Sequence, residues 1–95
     1  MGARFYTTHD PDAVLDYEFD WTAWLKEGDT ITAASWAVTG ADEALVVDDE
    51  SNTTTTTKVW LSGGTAGVTY RATCHVTTAG GRQDDRTLMV RVAER

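Results

Sequence analysis

Apolar and polar residues alternate strictly in one early segment of this chain, residues 15–21. Its odd positions are large and apolar and its even positions are acidic: Leu15, Tyr17, Phe19 and Trp21 against Asp16, Glu18 and Asp20. Successive side chains of a β-strand point to opposite faces, whereas a helix would scatter the large residues around its circumference. The segment therefore predicts a strand with one apolar and one anionic face.

The same period of two recurs further along the chain. Residues 30–39, 68–77 and 85–93 alternate in this way, most clearly 68–77, where Tyr70, Ala72, Cys74 and Val76 share one face. The apolar run 44–47 predicts a short strand. The five threonines at 53–57, together with residues 58–61, predict another strand because threonine is β-branched. Its polar side chains suggest one or two solvated faces, and we expect an edge position.

Turn signals separate these segments, and together they predict the fold class. Residues 62–67 and 79–82 are rich in glycine, 26–29 form a polar turn, and 48–52 read as an acidic turn. Trp36 in an early strand and Tyr70 after a glycine-rich corner are typical of immunoglobulin-like domains. We predict an all-β chain, an immunoglobulin-like antiparallel β-sandwich of about six to seven strands.

The length of 95 residues allows one domain. We place it at residues 13–95 and expect residues 1–12 to form an N-terminal arm that becomes ordered on a neighbouring protein. The single cysteine, Cys74, excludes an intrachain disulfide and fits a small buried residue. Because no apolar stretch reaches 18 residues and no signal peptide is visible, we expect no membrane contact and synthesis in a cytoplasm.

The net charge of −7 is unevenly distributed. Residues 1–52 hold two basic residues against twelve acids, and residues 53–95 hold six basic residues against three acids. An acidic protein repels phosphates, so nucleic-acid binding is not expected. The charge split could steer docking to a partner or to another copy, although it could equally reflect which loops are exposed.

Candidate catalytic and metal-binding chemistry is sparse. The acidic clusters 10–12 and 48–50 lack a calcium-loop spacing, and His9 and His75 lack partners at zinc-site spacing. Cys74 and His75 are adjacent in a strand and point apart, which disfavours a nucleophilic pair. We expect no enzyme activity, no metal and no cofactor.

Four tryptophans are too many for a core of this size to bury completely. If Val59 and Leu61 face inward, Trp60 faces outward, and exposed tryptophans often anchor interfaces. The alternative is that Trp60 packs under a loop. Trp24, beside a turn, is a second candidate.

Two stretches carry a resemblance to a known family. DPDAVLDY at residues 10–17 with FDW at 19–21, and VWLSGGTAG at 59–67 with the downstream GR at 81–82, resemble the fibre–tail adaptors of tailed bacteriophages and prophages. The resemblance implies a non-catalytic virion protein that joins a fibre or appendage to the tail or neck. Its partners would be tail, portal-proximal, fibre or capsid subunits and copies of itself.

Other functions remain open at this point. A capsid decoration protein of the phage head is one alternative. A carbohydrate-binding module is another, because exposed tryptophans on a β-sheet can stack on sugars. The residues expected at an interface are Phe5, Tyr6, Trp24, Trp60, Gly63, Gly64 and Arg82.

Overall fold

The computed structural model describes residues 3–94, with side chains from residue 5 onward. All the helices and strands assigned in this range are β-strands, joined by loops and turns. The strands are β1 (Ala3–His9), β2 (Val14–Asp20), β3 (Ile31–Thr39), β4 (Leu45–Asn52), β5 (Thr56–Gly63), β6 (Thr69–Thr78) and β7 (Gln83–Val92). The predicted all-β fold of six to seven strands is confirmed.

Two sheets form the sandwich. One has the strand order β1-β7-β6-β3 and the other the order β2-β5-β4. Neighbours pair antiparallel, except that β1 runs parallel to β7. Apart from β1, this is the strand arrangement of the immunoglobulin constant-type sandwich, with β2-β5-β4 as strands B-E-D and β7-β6-β3 as strands G-F-C.

The core lies between the sheets and contains most of the residues that the alternation placed inward, although Leu15 is 38% exposed. Trp21, Tyr70 and Leu61 are among its largest fully buried side chains. Cys74, a free thiol, lies on the same face of the four-stranded sheet as its cross-strand partner Trp36. Burial raises the pKa of the Cys74 thiol to about 11, so it packs as a small apolar group.

Tyr70 forms a tyrosine corner at the start of β6. Its hydroxyl accepts a hydrogen bond from the backbone N–H of Thr65 at 2.9 Å and donates one to Asp42 at 2.5 Å. Such a bond to the backbone a few residues upstream is a hallmark of immunoglobulin-like sandwiches. It ties the β5–β6 loop to the β3–β4 loop.

Two expectations about the middle of the chain were wrong. Residues 48–52 are not a turn, because β4 continues to Asn52, with a register shift between Val47 and Asp49. The strand expected at an edge is β5, which begins within the threonine run at Thr56 and lies between β2 and β4. Thr57 can sit in the core because its hydroxyl is used, as the acceptor for the indole N–H of Trp21 at 3.0 Å.

The N-terminal segment differs from a free arm over the residues that the structure describes. Ala3–His9 is β1, paired with Arg86–Val92 of β7, and the His9 side chain is fully buried beside Tyr17, with 2.7 Å between His9 Nδ1 and the Tyr17 hydroxyl. Residues 1 and 2 lie outside the described part. The sequence of this segment is consistent with a strand, because Phe5 and His9 are four positions apart and so share the face that points toward the other sheet.

Candidate functional site

The seven residues expected at an interface are not in one place. Tyr6 and Trp60 lie on the outer faces of opposite sheets, and Phe5 faces the gap between the sheets. Trp24 and Arg82 contact each other, and Gly63 and Gly64 lie together where β5 ends. Each of these positions therefore has its own surroundings.

Trp24 and Arg82 connect two loops of the sandwich. The Arg82 guanidinium stacks 4.2 Å from the centroid of the Trp24 ring and donates a hydrogen bond to the Trp24 backbone carbonyl at 2.8 Å. Nearby, Asp29 accepts from the backbone N–H of Gly80 at 2.9 Å. Hydrogen bonds lower the pKa of Asp29 below its ordinary value, and the bond from the Thr78 side chain contributes most to this shift. The side chains of Arg82 and Asp29 thus join the β2–β3 loop to the β6–β7 turn.

Gly63 and Gly64 have a conformational reason to be glycine. Their φ angles are +79° and +95°, in the left-handed region that disfavours side chains. A Cβ on Gly63 would lie 2.6 Å from the Ala44 carbonyl oxygen, and one on Gly64 would lie 2.6 Å from Val92. These two positions bring β5 and the chain that follows it close to their neighbours.

The outer face of the three-stranded sheet, called here the acidic face, has Trp60 at its centre. Trp60 is 37% exposed, and its cross-strand partners are Asp16 on β2 and Asp49 on β4. The prediction that Trp60 faces outward is confirmed, since Val59 and Leu61 are buried. The neighbouring rows of this face are Val14–Ser62–Val46 and Glu18–Lys58–Ser51.

Charge on the acidic face is only partly neutralised. Lys58 is the basic residue in these rows, and its ammonium lies 3.7 Å from the Asp16 carboxylate. Val14 and Val46, 59% and 47% exposed, extend the apolar surface beside Trp60. The result is an exposed aromatic and aliphatic strip bordered by carboxylates, a combination suited to protein contacts.

The outer face of the four-stranded sheet, called here the basic face, has the opposite charge around Tyr6. One row runs Tyr6–Met89–Arg71–Thr39 and the next runs Thr8–Arg91–Thr69. Tyr6 is 77% exposed. A shallow depression of about 350 Å³ lies here, lined by Tyr6, Thr7, Thr8, Thr69, Met89 and Arg91. Tyrosine, methionine and arginine are the side chains enriched in interfaces.

Phe5 lines an apolar cleft between the sheets at the β1–β2 side. The cleft has a volume of about 410 Å³ and is lined by Phe5, Tyr17, Glu18, Phe19, Asp20, Trp36, Arg86 and Leu88. Phe5 is 40% exposed and its ring centroid is 4.9 Å from that of Phe19. The Arg86 guanidinium covers the Trp21 ring at 4.0 Å from its centroid.

His75 and Asp85 form a hydrogen-bonded pair at the far end of the basic face. His75 Nδ1 lies 2.6 Å from Asp85 and its Nε2 lies 3.0 Å from Gln83. The Asp85 hydrogen bond, followed by that of Gln83, raises the pKa of His75 above 6.5. His75 points away from the buried Cys74, as predicted, so the two cannot act as a nucleophile and base. Within residues 3–94, no three His, Cys, Asp or Glu side chains are grouped closely enough to hold a metal ion.

The sequence analysis named two aromatic residues that the structure shows to be exposed, Trp60 and Tyr6, and it did not predict which charges lie beside them. The alternation of β2 predicted an anionic face, but Asp49 joins it only because β4 pairs with β5. Arg71 and Arg91 were on predicted outward positions, and their proximity to Tyr6 depends on the parallel pairing of β1 with β7. The residues within a strand do not show which other strands it will pair with.

Comparison with known protein families gives one match. Residues 9–91 match the family described as "Podophage GP4 fiber-tail adaptor protein gp77". The chain belongs to this family. The match spans both sheets and confirms the resemblance drawn from the sequence motifs.

Membership of the adaptor family identifies the chain as a phage structural protein of the virion. A search of curated proteins found no match. In the part of the chain that the structure describes, no helix is long and apolar enough to cross a membrane.

Proposed function

We propose that this protein is a non-catalytic adaptor of a tailed-phage virion that joins a fibre or another appendage to the tail or neck. The observation that carries the proposal is the family match over residues 9–91, which includes β2 to β6 and all but the last residue of β7. Its immunoglobulin-like arrangement suits the role, because a rigid β-sandwich presents two broad faces and several loops to different neighbours. Synthesis in the host bacterial cytoplasm is part of the same proposal.

The exposed side chains support docking as the mechanism. Trp60 and Tyr6 are large and amphipathic, and both project from strands, Trp60 from the central strand of its sheet and Tyr6 from the edge strand β1. Aromatic anchors on a rigid frame lose little conformational entropy on binding. The sandwich thus offers an exposed aromatic side chain on each side for contacts with neighbouring subunits of the particle.

The N-terminal segment is proposed as an additional contact. Among the described residues, β1 is the last strand of the four-stranded sheet, and strands in this position are where other proteins add a strand of their own. Deleting residues 1–8 while keeping the buried His9 should reduce incorporation into particles. If particles incorporate the shortened chain as well as the full chain, this contact is excluded.

A deletion of the gene in its phage tests the adaptor role. We expect particles with filled heads and tails that lack the fibre or appendage, and restoration of that appendage when purified protein is added. Electron micrographs also separate the alternative, because loss of a capsid decoration protein would leave the fibres in place. Full fibre occupancy in the deletion particles would contradict the adaptor role, and binding of the isolated protein on a glycan array would favour a carbohydrate-binding module.

A further inference from the structure

We propose that neighbouring copies of this chain bind each other through unlike sheet faces, the acidic face of one copy against the basic face of the next. The inference goes beyond the proposed function and depends on the side chains of the two faces. It commits to a second copy as the occupant of both surfaces. The following observations support it in turn.

Charge is the first observation. The acidic face presents the exposed carboxylates of Asp16, Glu18 and Asp49 with one partly neutralising cation, Lys58. The basic face presents Arg71 and Arg91 in adjacent rows. Opposite potentials on two surfaces favour their encounter and fix their orientation. The excess of acid in the first half of the sequence and of base in the second half therefore corresponds partly to two sides of the sandwich.

Apolar content is the second observation. Each face carries an exposed aromatic ring with neighbours that can pack on it, Trp60 beside Val14 and Val46, and Tyr6 beside Met89. An interface needs such a desolvated centre within a charged border, because charge alone gives orientation and association rate more than affinity. On the acidic face the aromatic ring lies on the central strand, and on the basic face it lies on the edge strand β1 with Met89 beside it on β7.

The position of the faces decides the kind of contact. They lie on opposite sides of the sandwich, so a pair joined by unlike faces leaves one acidic and one basic face unused. Such head-to-tail contacts continue to a third copy and close into a ring or extend as a row. A symmetric pair using the same face twice would bring Asp16 and Asp49 against their own counterparts, which like-charge repulsion opposes.

The size of the acidic face predicts a weak contact. Three strands about 4.8 Å apart and about seven residues long cover roughly 14 by 23 Å, or about 300 Å². Stable complexes bury about 800 Å² on each partner. Association in solution should therefore need high protein concentration and low salt, whereas a particle that holds copies side by side would raise their effective concentration.

Charge-reversal variants of the full chain test the inference by sedimentation equilibrium. The acidic-face variant is Asp16→Lys with Asp49→Lys, and the basic-face variant is Arg71→Glu with Arg91→Glu. The control, Glu27→Lys with Glu43→Lys, makes the same charge change as the acidic-face variant at exposed loop positions. Melting temperatures establish that each variant is folded.

We expect the wild type to self-associate at about 1 mM in low salt, and each face variant alone to associate at least about tenfold more weakly. An equal mixture of the two face variants should associate within about threefold of the wild type, because one now has two acidic faces and the other two basic faces. The control should behave like the wild type.

Three results would overturn the inference: a wild type that stays monomeric at this concentration, face variants that associate like the wild type, or a mixture of them that stays monomeric. None of these results affects the adaptor role, which the gene deletion tests separately. If the acidic-face variant instead lost only its attachment to particles, the face would bind another virion protein and not a second copy.

Discussion

The hydroxyl of Tyr70 donates a hydrogen bond to the Asp42 carboxylate at 2.5 Å, joining residues 28 positions apart. The same hydroxyl accepts from the Thr65 backbone, and the Thr65 side chain donates to the other Asp42 oxygen at 2.9 Å. The loops β3–β4 and β5–β6 are therefore held by one small network at one end of the sandwich.

Replacing Tyr70 by Phe should lower the free energy of unfolding by about 1–3 kcal/mol, because the fully buried ring remains while both hydrogen bonds are lost. Urea denaturation at pH 7 measures the change. The control is Tyr6→Phe, the same chemical change at an exposed ring, which should stay within about 0.5 kcal/mol of the wild type. Equal effects of the two substitutions would exclude the network.

The loss of stability caused by Tyr70→Phe should become smaller in acid. The Tyr70 hydrogen bond is the largest of the contributions that hold the pKa of Asp42 below its ordinary value of 3.8. A depressed carboxylate pKa stabilises the fold above the unfolded pKa, and this contribution is lost as the pH falls through the folded pKa. The difference between wild type and Tyr70→Phe should therefore narrow below pH 4. A difference that is constant from pH 7 to pH 3 would contradict the assignment.

Thr57 should stabilise the fold through its hydroxyl group and not through the volume of its side chain. Its Oγ1 accepts from Trp21 Nε1 at 3.0 Å and lies 3.4 Å from the Cys74 sulfur. Thr57→Val keeps the volume and removes the acceptor from the buried indole N–H, at an expected cost of about 1–3 kcal/mol. The control is Thr54→Val, an exposed position in the preceding turn. Chemical denaturation that shows no difference between the two variants would exclude this role.

Gly64 and Gly67 allow steric contact to be separated from backbone strain. Both have positive φ, but a Cβ on Gly64 would meet Val92 at 2.6 Å, whereas one on Gly67 would meet nothing within 4 Å. Gly67→Ala should cost about 1 kcal/mol for the left-handed backbone, and Gly64→Ala should cost about 1–3 kcal/mol more. Melting temperatures that fall equally in both would show that the contact with Val92 relaxes freely.

The His75 imidazole should titrate above its ordinary pKa of 6.5 because Asp85 is its main hydrogen-bond partner. A raised histidine pKa contributes stability that is complete below the unfolded pKa and is lost as the pH rises through the folded value. NMR titration should place the His75 pKa above 6.5 in the wild type and lower in Asp85→Asn. Identical titration curves in the two proteins would contradict the pairing.

The sequence predicted those parts of the fold in which one face of a strand is buried. Residues 68–77 alternate because Tyr70, Ala72, Cys74 and Val76 all enter the core. Residues 48–52 did not read as a strand because β4 is an edge strand whose later residues remain exposed, so its polar composition carries no period of two. Hydrogen bonding to β5 keeps these residues extended in spite of their composition.

The candidate surfaces were predictable residue by residue but not as surfaces. Trp60 could be placed outward from its neighbours Val59 and Leu61, yet the two carboxylates beside it come from β2 and β4. The threonine-rich strand was expected at an edge because its polar side chains suggested solvent. The strand instead pairs with β2 and β4, and the buried Thr57 hydroxyl bonds to Trp21, a residue 36 positions away that no local pattern connects with it.

A cryo-electron microscopy map of the assembled phage particle tests the central claim most directly. The adaptor account predicts that the sandwich lies at the junction of tail or neck and fibre, with the side chains of Trp60 and Tyr6 covered by neighbouring subunits. A map that places the chain on the head surface, or that leaves both sheet faces uncovered at the junction, would contradict it.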